Sequence, residues 1–419
     1  MKLMRAELLT VGSELLSGAT INTNAAYLSR RLAEVGIACR RHTTVGDERA
    51  SLLEALQEAL GRVDVLLITG GLGPTFDDIT MGAIAEATRR PLIDHPAVAA
   101  AVRRFYARHH RALQRAALRQ AALPRGGVPL PNPIGTAPGL WLPLDPPLVI
   151  ALPGVPAEMR AIMERSVLPR LRRWRPALGG LAGCTLRTVG VVELQIQAIL
   201  QRLRIPSAVQ VGLYPHLRMV DIRLTARAST HQEAHRLLAP LERQLRRRLR
   251  ETVYGVDADA LEAVVGRLLL ARHKTLAVAE SCTGGLVADQ LTDIPGSSRY
   301  LRGAVVAYHN DLKRGALGVP AAQLLRHGAV SAPVAMSMAE GVRRIACAAV
   351  GLSITGVAGP SGGTAEKPVG LVYIGLADRR GGRSVRAQLF GDRRSIKLQA
   401  AQTALDSLRR YLLDGLPER

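Results

Sequence analysis

Ala279-Glu280-Ser281-Cys282-Thr283-Gly284-Gly285 follows the apolar run Thr275–Ala279 and precedes a helical stretch that begins near Leu286. A short apolar run leading through a Gly pair into a helix is the strand–turn–helix unit of an α/β sheet. Such a turn leaves Ser281 at the strand tip, where backbone N–H groups can approach an oxyanion or a phosphate. Standing alone, Ser and Thr before a helix read equally well as a cap.

Strand-like runs recur downstream at Gly303–Tyr308, Ala348–Thr355 and Gly370–Leu376, separated by helical stretches, so the chain beyond Val256 reads as one α/β domain. The first of these runs ends in Tyr308-His309-Asn310-Asp311-Leu312-Lys313. The second ends in Thr355-Gly356-Val357-Ala358-Gly359-Pro360-Ser361-Gly362-Gly363, with Lys367-Pro368-Val369-Gly370 after it. Functional groups gather beyond the carboxyl ends of strands in such sheets, so the three segments are expected to converge on one crevice. A hydroxyl nucleophile needs a base, and a desolvated Lys can supply one because burial lowers its pKa. Lys313 is the best candidate, one of five lysines in the chain. Lys367 also reads as a surface lysine, and Cys282 as a small buried packing residue.

Upstream, residues 6–68 read as strand, helix, strand, helix, strand: Leu8–Val11, then helices at Asn24–Val35 and Ser51–Leu60, then Val63–Thr69. This alternation implies a parallel sheet with helices on both faces. The last strand opens into Gly70-Gly71-Leu72-Gly73-Pro74-Thr75-Phe76-Asp77-Asp78. A Gly-rich turn admits a phosphate close to backbone N–H groups, and adjacent carboxylates suit a hard divalent cation; routine turn and cap chemistry would use the same residues. Pro and Gly are dense between Pro124 and Pro156, broken by the strand-like Leu148–Leu152, and predict a loop-built surface. From Leu171 to Arg250 the pieces shorten, and Val220, Ile222 and Leu224 alternate onto one face, which fits a small α+β module.

At 419 residues the chain is long enough for two or three cores. Its formal net charge of +22 invites a nucleic-acid reading, but aromatics are only 3% and the charge is Arg spread along the sequence. Arg243, Arg246, Arg247 and Arg250 interleave with Leu241, Leu245 and Leu249 at helical spacing, the pattern of a solvated helix face. Cys39, Cys184, Cys282 and Cys347 lack any paired metal or redox spacing. Arg5 and Glu7 interrupt any secretory apolar region, and no stretch approaches the ~18 apolar residues of a membrane helix. A soluble, cytoplasmic protein is expected.

Taken together, the motifs resemble the CinA (competence/damage-inducible) family, whose carboxy-terminal domain is similar to the nicotinamide-nucleotide amidase PncC. The likeness rests on Ala-Glu-Ser-Cys-Thr-Gly-Gly, Gly328-Ala329-Val330-Ser331, the Gly-Val-Ala-Gly-Pro-x-Gly-Gly loop, Lys-Pro-Val-Gly and Gly391-Asp392-Arg393, in that order. It implies hydrolysis of the carboxamide of nicotinamide mononucleotide to nicotinate mononucleotide and ammonia, with no cofactor. Ser281 would be the nucleophile, Lys313 and Tyr308 its proton-transfer partners and Thr355 a site hydroxyl. Thr283, Gly284, Gly285, Gly359, Gly362 and Gly363 would contact substrate, and Arg393 would contact its anion. The resemblance implies that a Ser usually follows this Tyr, where this chain has His309.

Gly12-Ser13-Glu14, Asn22-Thr23-Asn24, Val45-Gly46-Asp47, Asn132-Pro-Ile-Gly135-Thr136 and Gly154-Val155-Pro-Ala-Glu158 likewise resemble the family's amino-terminal domain, related to MoaB and MogA. This implies either molybdopterin binding or magnesium-dependent cleavage of ADP-ribose. Asp77 and Asp78 would hold the metal, with Glu14 and Asp47 as helpers, and Gly70, Gly71, Gly73, Thr75 and Asn24 would contact the ligand. The middle segment resembles a KH-like module but lacks the Gly-x-x-Gly nucleic-acid clamp. The expected organisation is thus two α/β domains, residues 1–170 and 255–419, joined by an α+β module over 171–254. The partners implied are small nucleotides and a second copy in a homodimer, with neither membrane nor specific nucleic acid; a competence-associated DNA-binding factor is the rival.

Overall fold

The structure, a computed structural model, describes residues 4–174 and 180–414. They form two compact units, one of residues 4–174 with 180–182 and 226–236, the other of 183–225 with 237–414.

In the first unit, β1 (Arg5–Val11), β2 (Ala38–Val45) and β3 (Val65–Thr69) build a sheet; β4 (Leu92–Asp94) and β5 (Ala122–Pro124) pair separately. Strands β6 (Val128–Leu130), β7 (Gly139–Pro143) and β8 (Leu148–Leu152) complete the sheet in the order β2-β1-β3-β8-β7-β6. β2, β1, β3 and β8 are parallel, whereas β7 pairs antiparallel with β8 and β6 antiparallel with β7. The sheet is therefore mixed, and the Pro- and Gly-rich segment is not a loop-built surface. Pro129 is accommodated because β6 lies at the sheet edge, where a missing N–H breaks no inner ladder. Gly139 is required by close packing, since a Cβ there would stand 2.9 Å from the Ala151 carbonyl oxygen. Leu140, Trp141 and Leu142 are buried, so this hairpin belongs to the core.

The small module is a four-stranded sheet of β9 (Gly180–Val189), β10 (Val209–His216), β11 (Met219–Ala228) and β12 (Val253–Val256), ordered β10-β11-β9-β12. Val220, Ile222 and Leu224 are buried together, as their alternation predicts. In the helix His231–Leu249, Leu241, Leu245 and Leu249 are buried while Arg243, Arg246 and Arg247 are exposed, the solvated face expected. Met219 and Tyr254 pack against the carboxy-terminal core, and Arg409 donates to the Glu251 carbonyl, tying the module to that domain.

In the carboxy-terminal domain, β13 (Leu276–Glu280) lies between β14 (Leu301–Val306) and β15 (Val350–Gly356), all parallel. The antiparallel β16 (Leu371–Asp378) and β17 (Gly381–Gln388) follow, giving the order β14-β13-β15-β16-β17. Every residue of β13 is buried, the continuous apolar reading of a strand covered on both faces. Leu276 and Val278 pack with the helices Leu261–Ala271 and Arg393–Asp414, and Ala277 and Ala279 with Ala332–Ile345. Among the described residues, no helix is long and apolar enough to cross a membrane.

Candidate active site

Ser281 leaves the end of β13 with its N–H still donating to the Ile354 carbonyl at 2.9 Å, so the neighbouring parallel strand fixes it. The Gly284 N–H closes a turn onto the Ser281 carbonyl at 3.1 Å. Lys313, on the short helix Asn310–Gly315 beyond β14, is 1% exposed. Its Nζ lies 3.1 Å from Ser281 Oγ, 2.8 Å from the Ala307 carbonyl and 3.2 Å from that of Tyr308. Burial holds this amine below the usual lysine pKa. A neutral amine can satisfy both carbonyls with its two N–H bonds and present its lone pair to the serine hydroxyl.

Glu280, fully buried beside the nucleophile, is engaged elsewhere. Its carboxylate accepts from the N–H groups of Gly285 at 2.9 Å, Val287 at 3.2 Å and Ala288 at 2.9 Å. The start of the helix Leu286–Thr292 is thus capped from within, which corrects the expectation that these N–H groups serve an oxyanion or phosphate. Those of Cys282 and Thr283 donate to no other described residue and are available to a developing oxyanion. The Cys282 thiol is pushed up to about 12 by burial, so it is a packing group.

The third strand end supplies Thr355, buried, whose hydroxyl donates to the Ala329 carbonyl at 2.8 Å. Lys367 donates to the His327 carbonyl, which pins the same loop and removes it from the class of plain surface lysines. Tyr308 is 58% exposed, and its phenol oxygen accepts from Arg393 at 2.6 Å. A second Arg393 nitrogen donates to the Gly359 carbonyl at 2.6 Å.

In the amino-terminal unit, Asn24 donates to the Gly154 carbonyl at 2.7 Å, while its own Oδ1 is buried without a partner. It lines a cavity of about 290 Å³ with Thr10, Glu14, Asn22, Thr69 and Gly154, at the carboxyl ends of β1, β3 and β8. A second cavity of about 480 Å³ is lined by Arg104, Phe105, Arg108, Asn132, Gly135 and Thr136. Asp77 and Asp78 line neither.

Comparison with known proteins agrees with this layout. Residues 7–173 match the probable molybdopterin binding domain, 184–255 the KH domain of damage-inducible protein CinA, and 258–412 the CinA C-terminal domain. A CinA-like protein of Gloeobacter violaceus is 44% identical over 98% of this chain and 97% of its own length. The chain belongs to the CinA family. A putative competence-damage inducible protein of Symbiobacterium thermophilum is 45% identical over 99% of this chain and 100% of its own. A crystal structure titled protein CinA with unknown function, from Thermoplasma acidophilum, is 36% identical; it covers 40% of this chain and 98% of its own, with a TM-score of 0.38.

Of the residues that the CinA resemblance singles out, the structure brings Ser281 and Lys313 into contact and leaves Tyr308 apart. Tyr308 gives its carbonyl to Lys313 and its phenol to Arg393, and makes no hydrogen bond to Ser281. Arg393 bridges Tyr308 and the Gly359 loop. His309, the departure from the family pattern, accepts from the Asp311 N–H and caps the helix carrying Lys313, a task a Ser hydroxyl performs as well. Sequence reasoning missed Glu280, which was signalled by an acid ending an otherwise apolar strand.

The metal expectation fits less well. Asp78 Oδ1 accepts from the Gly73 N–H at 2.7 Å and Oδ2 from the Thr75 N–H at 2.8 Å, and the Thr75 hydroxyl also donates to it. A Cβ on Gly73 would overlap Asp78 Oδ2, so this Gly makes room for the carboxylate. Gly70, at φ +110°, would drive a Cβ into the Val11 carbonyl oxygen. Both glycines are thus demanded by protein contacts. Asp47 accepts from the Ser13 N–H at 2.8 Å. No group of three or more His, Cys, Asp or Glu among the described residues is placed to hold a metal. Asp78 is thus held by its own loop, while Asp77 is exposed.

Proposed function

We propose that the carboxy-terminal domain is a serine amidohydrolase that converts nicotinamide mononucleotide to nicotinate mononucleotide and ammonia. The observation that carries the reaction class is the buried Lys313 amine, 3.1 Å from Ser281 Oγ and held by two backbone carbonyls. The substrate is inferred from the motif likeness to nicotinamide-nucleotide amidases.

Lys313 accepts the Ser281 proton as Oγ attacks the amide carbon, and the N–H groups of Cys282 and Thr283 receive the charge on the carbonyl oxygen. Collapse breaks the C–N bond, with the Lys313 proton going to the departing ammonia. The resulting ester is cleaved by water, whose proton passes through Lys313 back to Ser281 Oγ. Both half-reactions use one base, and the atoms close on acid plus ammonia.

For the amino-terminal domain we propose binding of a polar small molecule in the cavity that Asn24 lines. Its unpartnered Oδ1 is the supporting observation. Metal-dependent cleavage of ADP-ribose would need free carboxylates, and Asp78 is committed to its own loop.

The test of the amidase is ammonia release from nicotinamide mononucleotide by wild type and Ser281→Ala, with and without EDTA. Release that survives EDTA and disappears in a folded Ser281→Ala supports the proposal. A folded wild type that releases no ammonia overturns it.

A further inference from the structure

Near the turn that follows Ser281 stands a cation with nothing to neutralise it. A Cβ built on Gly284 would lie 3.5 Å from Lys397 Nζ. Lys397 is half-buried on the first turns of the helix Arg393–Asp414 and makes no hydrogen bond or ion pair with any described residue. Since Ser281 and Gly284 close one turn, the ammonium lies no more than about 12 Å from the Ser281 Cα.

Two features bear on a ligand. The Arg393 guanidinium donates to the Gly359 carbonyl and the Tyr308 phenol, both neutral, so its place is fixed while its charge is left unpaired beside that of Lys397. Thr283, in the same turn as Gly284, is fully buried and its hydroxyl meets no partner.

We propose that Lys397 binds the phosphate of a mononucleotide substrate while its amide lies at Ser281. This rests on the amidase reading and deepens it: the domain would select a nucleotide over the corresponding nucleoside through one ammonium carried on a different helix from the nucleophile. Gly284 serves the turn through its backbone, at φ +65°, and a Cβ there would meet Lys397 Nζ at ordinary contact distance.

The test compares kcat/KM for nicotinamide mononucleotide and for nicotinamide riboside, which lacks the phosphate, in wild type, Lys397→Met and Lys397→Arg. Loss of one charge-assisted contact should lower the nucleotide-to-riboside ratio roughly 10- to 100-fold in Lys397→Met, chiefly through KM. Lys397→Arg should restore most of it. A ratio unchanged in Lys397→Met overturns the proposal while leaving the amidase reading intact. A wild type inactive on the nucleotide overturns the amidase reading, and calorimetric titration with inorganic phosphate then decides on Lys397. Binding in wild type that is weakened at least ~10-fold in Lys397→Met upholds the anion site. Absent or equal binding overturns it.

Discussion

Replacing Lys313 by Met should separate turnover from stability in opposite directions. The side chain is 1% exposed, and Met fills similar volume without a charge. Three hydrogen bonds are lost, at about 1 kcal/mol each. Against this stands the cost of holding the amine in the interior, where it is either buried charged or gives up its proton below its usual pKa, on the order of several kcal/mol. The net change should lie between about 0 and 2 kcal/mol in favour of the variant. At roughly 2–4 °C per kcal/mol for a unit of this size, Tm should hold or rise by a few degrees. Turnover should fall about 10²- to 10⁴-fold, the usual share of a general base. The pH behaviour follows from the same burial. The catalytic form is the neutral amine and its pKa lies below 10.5, so wild-type kcat/KM should rise with pH through that lowered value and then level. Between that value and 10.5 the unfolded chain binds a proton that the folded one does not, so wild-type stability should also rise with pH there. Lys313→Met should lose that increment. Calorimetry and ammonia release on the same samples test both halves; a Met variant that unfolds well below wild type, or that turns over normally, refutes the reasoning.

Glu280→Ala should leave three buried or half-buried N–H groups without an acceptor and lower stability by about 3–5 kcal/mol, read by urea unfolding. Loss below about 1 kcal/mol would show that the cap is dispensable. Asp78→Ala should cost the amino-terminal unit about 2–3 kcal/mol through the Gly73 and Thr75 contacts, with an unfolding midpoint in wild type that EDTA does not move. A wild-type midpoint lowered by EDTA, with Asp78→Ala insensitive, would restore the metal role.

The parts of this fold that could be read ahead were those in which local pattern and burial agree. β13 is wholly apolar up to Glu280 and is buried on both faces, and the Leu and Arg of His231–Leu249 divide as helical spacing requires. The hairpin of β6 and β7 could not be read, because Pro129 and Gly139 argue against a strand until the sheet edge and the approach of Ala151 are known. The same limit governs the site. Ser281 and Lys313 stand at ends of adjacent parallel strands, so the α/β rule joins them. Lys397 reaches Gly284 from a later helix, a contact made by tertiary packing alone. The Tyr308 phenol turned to Arg393 for the same reason: strand position fixes its backbone, but packing chooses its partner.

Glu280 shows why the base can work at all. The chain places a carboxylate immediately before its nucleophile and an ammonium-forming side chain beside it, two buried groups of opposite charge. Were they to pair, the attraction would hold the Lys313 proton and raise its pKa. Instead three backbone N–H groups take the Glu280 charge, while Lys313 meets a hydroxyl and two carbonyls, none of them anionic. Desolvation is then the main influence on the amine, and it favours the form that can accept a proton. The helix cap and the base are therefore one arrangement: each N–H that Glu280 satisfies keeps its charge directed away from Lys313, and loss of the cap in Glu280→Ala should weaken the fold without returning the proton to the amine.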